Sequence, residues 1–199
     1  MAAGERTQLR VFHRPTSRSH RVVWMLEELG LDYEVTLFTR ADALTDEHRE
    51  RHPLGRVPVL EIDGRHRYES AALCLQLADM CPEAGLIPEP GTDERALVYQ
   101  WAFFAMTEIE PNLVASNSDD RERRDGGRAG FRQATAVLER VLADREYLVG
   151  EFGVADVIAG SVAGDGRSRG LLDGLPNVTA WDERLRARPA RVRTDAIGQ

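Results

Sequence analysis

The stretch Gly55-Arg56-Val57-Pro58-Val59-Leu60, followed by Asp63-Gly64 and then by Glu69-Ser70 ahead of an apolar run, decides how this chain is read. Proline cannot donate to a β-ladder, so Pro58 belongs at a sheet edge or a turn, where the bond from Val57 can be cis. The amide and carbonyl of Val57 are thereby left for an extended ligand. Asp63-Gly64 between two β-prone runs signals a two-residue hairpin. A helix opening near Ser70 presents unpaired N–H groups that attract a carboxylate, and the Ser70 hydroxyl adds a donor. Glu69 beside it suits an ammonium group. Together these groups read the main chain and the amino-acid end of a small peptide, of the γ-glutamyl kind.

Upstream of this stretch, Leu9 to His13 reads as a strand and Ser17 to Leu29 as a helix, with Val22, Met25, Leu26 and Leu29 on one face and Gly30 as its stop. Tyr33 to Phe38 is a second strand, so the chain opens β-α-β, with a parallel pair and a right-handed crossover. A polar, weakly helical stretch from Ala41 to His52 leads to the hairpin of Val57 to Ile62 and Arg65 to Tyr68. A helix from Ser70 to Cys81 then buries Leu73, Leu77 and Met80. The sum is a mixed four-stranded sheet with helices.

Pro82 to Gly91, with three prolines and two glycines, reads as a linker, and no strand candidate follows it. Thr92 with Asp93 and Glu94 starts a helix whose stripe is Leu97, Trp101 and Phe104. Phe131, Ala134, Leu138, Val141 and Leu142 form another stripe, and Val178, Trp181 and Leu185 a last one. Gly153-Val154-Ala155-Asp156 opens a further helix, with Asp156 placed to reach back to the Gly153 amide. Gly160 to Gly170, with four glycines, is poor helix material. Arg121 to Arg128 reads as a solvated loop.

With 42% hydrophobic and 30% charged residues, the 199-residue chain has the composition of a soluble globular protein. No apolar run approaches the roughly 20 residues of a membrane span. Residues Met1 to Arg6 lack the apolar core of a secretion signal, so a cytoplasmic location is expected. A net charge of −7 argues against a nucleic-acid surface. All 26 basic residues are arginines, which excludes a lysine Schiff base and a P-loop. Cys74 and Cys81 stand about 10 Å apart on one helix, too far to bridge, and read as core residues. Without a CxxC, neither a dithiol site nor a cysteine-ligated metal site is expected.

These pieces, with Ser17 to Gly30, Tyr68-Glu69-Ser70-Ala71, Phe152 to Asp156 and Arg186-Ala187-Arg188-Pro189, make the chain resemble the cytosolic glutathione S-transferase superfamily, in its bacterial, serine-type form, along nearly its whole length. The resemblance implies an α/β thioredoxin-like domain over residues 7–84 that binds glutathione, and an all-α domain over residues 92–195 that carries much of the pocket for an electrophile. It implies that Val57, ahead of a cis Pro58, pairs with the cysteinyl portion of glutathione. Arg56 reaches the glycine carboxylate, and Glu69 and Ser70 hold the γ-glutamyl end. The activating hydroxyl lies in the turn Pro15 to Ser19, where counting back from Arg21 favours Ser17, then Thr16, then Ser19.

A hydroxyl suits that task because a thiol of pKa near 8.5 is only a few per cent thiolate at neutral pH, and a donor aimed at sulfur beside a helix N-terminus stabilises the anion. His13 and His20 flank the turn and read as solvated or capping groups. The absence of cysteine from residues 13–19 disfavours mixed-disulfide chemistry and favours conjugation, addition or peroxide reduction by glutathione. Tyr99, Phe103, Met106 and Thr107 are the residues expected to line the electrophile pocket.

Glutathione as co-substrate, a hydrophobic electrophile, no metal and a homodimer complete what the resemblance implies, with detoxification as the role. Two alternatives share the scaffold. One is a non-catalytic glutathione-binding or regulatory module, with which the irregular Gly160 to Gly170 region is compatible. The other is a glutathione-dependent isomerase or dehalogenase, which begins from the same thiolate.

Overall fold

The computed structural model describes residues 7–42 and 45–198. The N-terminal residues 1–6, residues 43–44 of the expected weak helix, and residue 199 lie outside the described residues. The chain divides into two compact units, residues 1–80 with 189–199, and residues 81–188.

In the first unit, β1 (Leu9–His13), α1 (Ser19–Leu29), β2 (Glu34–Leu37), α2 (Asp46–Arg51), β3 (Val59–Ile62), β4 (Arg65–Arg67) and α3 (Ser70–Met80) follow in order. The sheet order is β2-β1-β3-β4, with β1 and β2 parallel and the other pairs antiparallel. This is the thioredoxin-like mixed sheet expected from the sequence. The Asp63-Gly64 turn has positive φ at both residues, 49° and 75°, which carries the twist a two-residue hairpin needs.

Helix α1 ends where Gly30 turns left-handed at φ 62°, its N–H donating to Glu27 while the Leu31 N–H donates to Leu26. Val22, Val23, Trp24, Met25 and Leu26 are all fully buried, each contributing roughly 1.5–3 kcal/mol of side-chain burial. So broad an apolar face needs cover on two sides. One side is α3; the other is α9 (Pro189–Ala196), which returns from the far end of the sequence to pack on α1. Arg191 lies over the Trp24 ring, and Arg193 donates to the Glu27 carboxylate. The helical domain expected from the sequence runs to residue 195, whereas residues 189–198 group with the first unit.

The second unit is helical: α4 (Asp93–Phe104), a π-helical turn (Ala105–Ile109), α5 (Glu110–Ala115), α6 (Arg121–Val141), α7 (Val154–Asp165) and α8 (Pro176–Arg186). Thr92 caps α4 by accepting from the Arg95 amide. The Asp156 carboxylate does accept from the Gly153 amide, and also from the Leu148 amide and the Trp181 indole.

Two expectations change here. Arg121 to Arg128, exposed except at half-buried Arg124 and buried Gly127, forms the first turns of α6, started by Asp120 accepting from the Arg123 amide. A Cβ at Gly127 would lie 2.5 Å from the Ser116 amide, so glycine is what lets α5 and α6 cross so closely. Likewise α7 continues through Gly160 and Gly164 to Asp165 before a short turn at Arg167–Arg169. Cβ atoms at those glycines would meet Leu185 and Asp182 of α8, so burial against α8 outweighs their low helix propensity. Among the described residues no helix is long and apolar enough to cross a membrane.

Candidate functional site

Sheet register assembles the site. Phe12 of β1 pairs with Val59 of β3, and Leu60 of β3 with Arg67 of β4. The chain leaving β1 into the turn 14–18, the bend at Val57-Pro58 entering β3, and the chain leaving β4 at Tyr68-Glu69 therefore meet at one end of the sheet.

The Val57-Pro58 bond is cis. Neither the Val57 amide nor its carbonyl bonds to another described residue. The half-buried Val57 side chain packs against Phe12, Phe38 and Val59, so the peptide is anchored while its polar groups stay open. Arg56 is exposed, and its guanidinium forms no hydrogen bond or ion pair among the described residues.

Helix α3 begins at Ser70, and the Glu69 carbonyl accepts the first bond, from Leu73. The Ser70 amide has no partner among the described residues. The buried Ser70 hydroxyl accepts from the Arg21 guanidinium at 3.3 Å, which leaves its own hydrogen to donate. Glu69 is exposed and held at φ 72°, a left-handed conformation that a Cβ disfavours. Besides the hairpin residue Asp63, Glu69 shares positive φ with just one other described non-glycine residue, Thr16, at 58°. Such outliers persist where surrounding structure fixes them, and they cluster at ligand sites.

The three hydroxyls of the first turn differ. Ser19 is fully buried in contact with His13 Nδ1 at 2.8 Å, the Arg14 amide at 3.0 Å and the Arg14 carbonyl at 3.1 Å. Ser17 is half-buried, 2.8 Å from Ser19 and 2.7 Å from the Arg14 carbonyl. Thr16 is exposed, and its hydroxyl has no partner among the described residues. Neither flanking histidine is solvated. Burial pushes the His13 imidazole below its ordinary range, and His20, bonded to Asp195 at 2.7 Å, is pushed down to about 4, chiefly by burial.

Tyr99 and Phe103 are exposed on α4, while Trp101 between them is buried. Met106 and Thr107 lie on the π-helical turn that continues α4, half-buried and exposed respectively. The Tyr99 hydroxyl accepts from Arg95, and the Thr107 hydroxyl donates to the Phe103 carbonyl.

Arg21, His48 and His52 are not among the site residues expected from the sequence. His48 Nε2 lies 2.9 Å from the Arg56 carbonyl, and His52 Nδ1 accepts from the Leu54 amide while its ring stacks on Tyr68. The available signal was two histidines four apart just before Pro53, on an otherwise charged helix.

Residues 17–80 match the family model for the N-terminal domain of glutathione S-transferases. Glutathione S-transferase 4 of Zea mays is 30% identical over 188 residues, covering 85% of this chain and 83% of its own. The chain belongs to the glutathione S-transferase family. It is accordingly a glutathione transferase-like enzyme. A family structure from Burkholderia graminis, solved with two glutathione molecules per subunit, is 29% identical with a TM-score of 0.83, over 100% of this chain and 91% of that one. The disulfide-bond oxidoreductase YfcG of Escherichia coli is 26% identical, over 90% of this chain and 91% of its own.

Proposed function

We propose that this enzyme binds glutathione along Val57 and converts its thiol to a thiolate that attacks a hydrophobic electrophile or reduces a peroxide. The observation that carries this reading is the unpaired main chain of Val57 before the cis Pro58. The Val57 amide and carbonyl pair with the cysteinyl carbonyl and amide of glutathione, as one strand pairs with another. Arg56 receives the glycine carboxylate. Ser70 and the N-terminus of α3 receive the γ-glutamyl carboxylate, and Glu69 its ammonium.

The thiol then faces the turn after β1, and the free hydroxyl of Thr16 is the best available donor to sulfur. Ser17 would have to surrender its bond to Arg14 to serve instead, and Ser19 is enclosed. Both protein thiols are poor nucleophiles: burial pushes Cys74 up to about 12 and raises Cys81. The sulfur chemistry therefore rests on the co-substrate. Tyr99, Phe103, Met106 and Thr107 offer apolar contact to the second substrate, and a cytoplasmic homodimer acting in detoxification completes the reading.

A second reading, glutathione-dependent reduction of disulfides, has the support of the similarity to the E. coli oxidoreductase. Glutathione-dependent consumption of a chlorodinitrobenzene, an organic hydroperoxide and a small mixed disulfide separates them. Turnover of the first two supports the thiolate reading, turnover of the disulfide alone supports the second, and tight binding without turnover makes the protein a binding module.

A further inference from the structure

We infer that His48 is a positioning residue that aims the Val57 amide at glutathione; this rests on the glutathione site proposed above. His48 is fully buried in α2, its ring 4.1 Å from that of Phe38, centroid to centroid, and 6.3 Å from that of Phe12. The Arg56 carbonyl 2.9 Å away can only accept, so His48 Nε2 carries the hydrogen and donates it. The Arg56 carbonyl and the Val57 N–H belong to one planar trans peptide and point in opposite directions. Fixing the carbonyl inward on a buried ring therefore fixes the N–H outward, on the side left for ligand. Accepting a hydrogen bond also polarises the peptide, making its N–H a stronger donor.

The rest of the loop supports this assignment. His52, one turn after His48, accepts from the Leu54 amide, and its carbonyl accepts from Gly55, which turns left-handed at φ 59°. His52 thus holds the start of the bend and His48 its end. Between them the Val57 peptide has one orientation before any ligand arrives, which removes an ordering cost from binding.

His48→Phe keeps the stacking on Phe38 and deletes the donor, whereas His48→Gln keeps an N–H near the position of Nε2. The phenylalanine variant is expected to raise the glutathione Kd and KM about tenfold, with kcat at saturating glutathione within about twofold and the electrophile KM unchanged. The glutamine variant is expected to return Kd to within about threefold of wild type. A glutathione Kd within twofold of wild type in folded His48→Phe overturns the proposal. So does an equal loss in both variants with kcat and melting temperature falling in parallel, because that marks a purely structural role.

Histidine 15N spectra of the unliganded protein judge the geometry without glutathione. Hydrogen on Nε2, with the Val57 15N resonance moved in His48→Phe, supports the positioning even if wild type fails to bind glutathione, in which case only the glutathione reading falls. Hydrogen on Nδ1 alone in a protein that binds glutathione overturns the positioning and leaves the glutathione site standing.

Discussion

The Ser17 hydroxyl donates to the carbonyl of Arg14 at 2.7 Å, closing the turn between β1 and α1 on itself. A hydroxyl has one hydrogen, and this one is in use. Ser17→Ala should therefore reduce stability by about 1 kcal/mol while leaving kcat/KM for glutathione within about threefold. Chemical denaturation beside steady-state kinetics checks both halves. A hundredfold loss of turnover with unchanged stability would return the activating role to Ser17.

Glu69 combines an unfavourable backbone with a useful side chain. At φ 72° a glycine is at ease, so Glu69→Gly should raise stability by about 1 kcal/mol while weakening glutathione binding by tenfold or more. Melting curves and calorimetric titration test the pair together. A variant that loses stability, or binds glutathione as well as wild type does, would contradict the role given to Glu69.

Arg56 carries an exposed guanidinium with no hydrogen bond or ion pair among the described residues, so removing it disturbs little of the fold. Arg56→Ala should weaken glutathione but leave γ-glutamylcysteine, which lacks the glycine carboxylate, bound as in wild type. Equal weakening of both ligands would place the arginine's partner elsewhere on the peptide.

Asp156 links three segments of the helical unit through the amides of Gly153 and Leu148 and the indole of Trp181. Asp156→Ala orphans all three donors and should cost about 3 kcal/mol or more. Burial pushes the Asp156 carboxyl up to about 6 despite these donors, so the folded state holds a proton that the unfolded chain has released. Its contribution is fully present below the unfolded pKa near 4 and is lost as pH rises through 6, about 3 kcal/mol in all. Subtracting the unfolding free energy of Asp156→Asn from that of wild type at each pH from 4 to 7 should isolate this slope, because His20, pushed down by burial, adds the opposite slope to both proteins.

Strand, helix and hairpin signals in the first unit were legible because each is local: the short apolar run within Leu9–His13, the glycine stop after Leu29, the Asp63-Gly64 turn. Val57, Pro58, Glu69 and Ser70 stood out as candidates through their order and spacing, since a proline before a strand or a Glu-Ser before an apolar run is by itself more often structural. The return of α9 to α1 was not, because Glu27 and Arg193 stand 166 positions apart and leave no local trace of their contact. Glycines 160 and 164 misled in the same way, their missing Cβ atoms explained only by the partner helix. His48 sat in a charged stretch without apolar periodicity, and the availability of Thr16 depends on which neighbouring hydroxyls are already bonded.

The most direct test of the account is an ultraviolet titration of the thiol of bound glutathione in wild type, Thr16→Val and Ser17→Ala. The expected result is a depressed thiol pKa in wild type and in Ser17→Ala, and a return toward about 8.5 in Thr16→Val. A bound thiol that titrates like free glutathione in the wild type, or one that stays depressed in Thr16→Val, would contradict it.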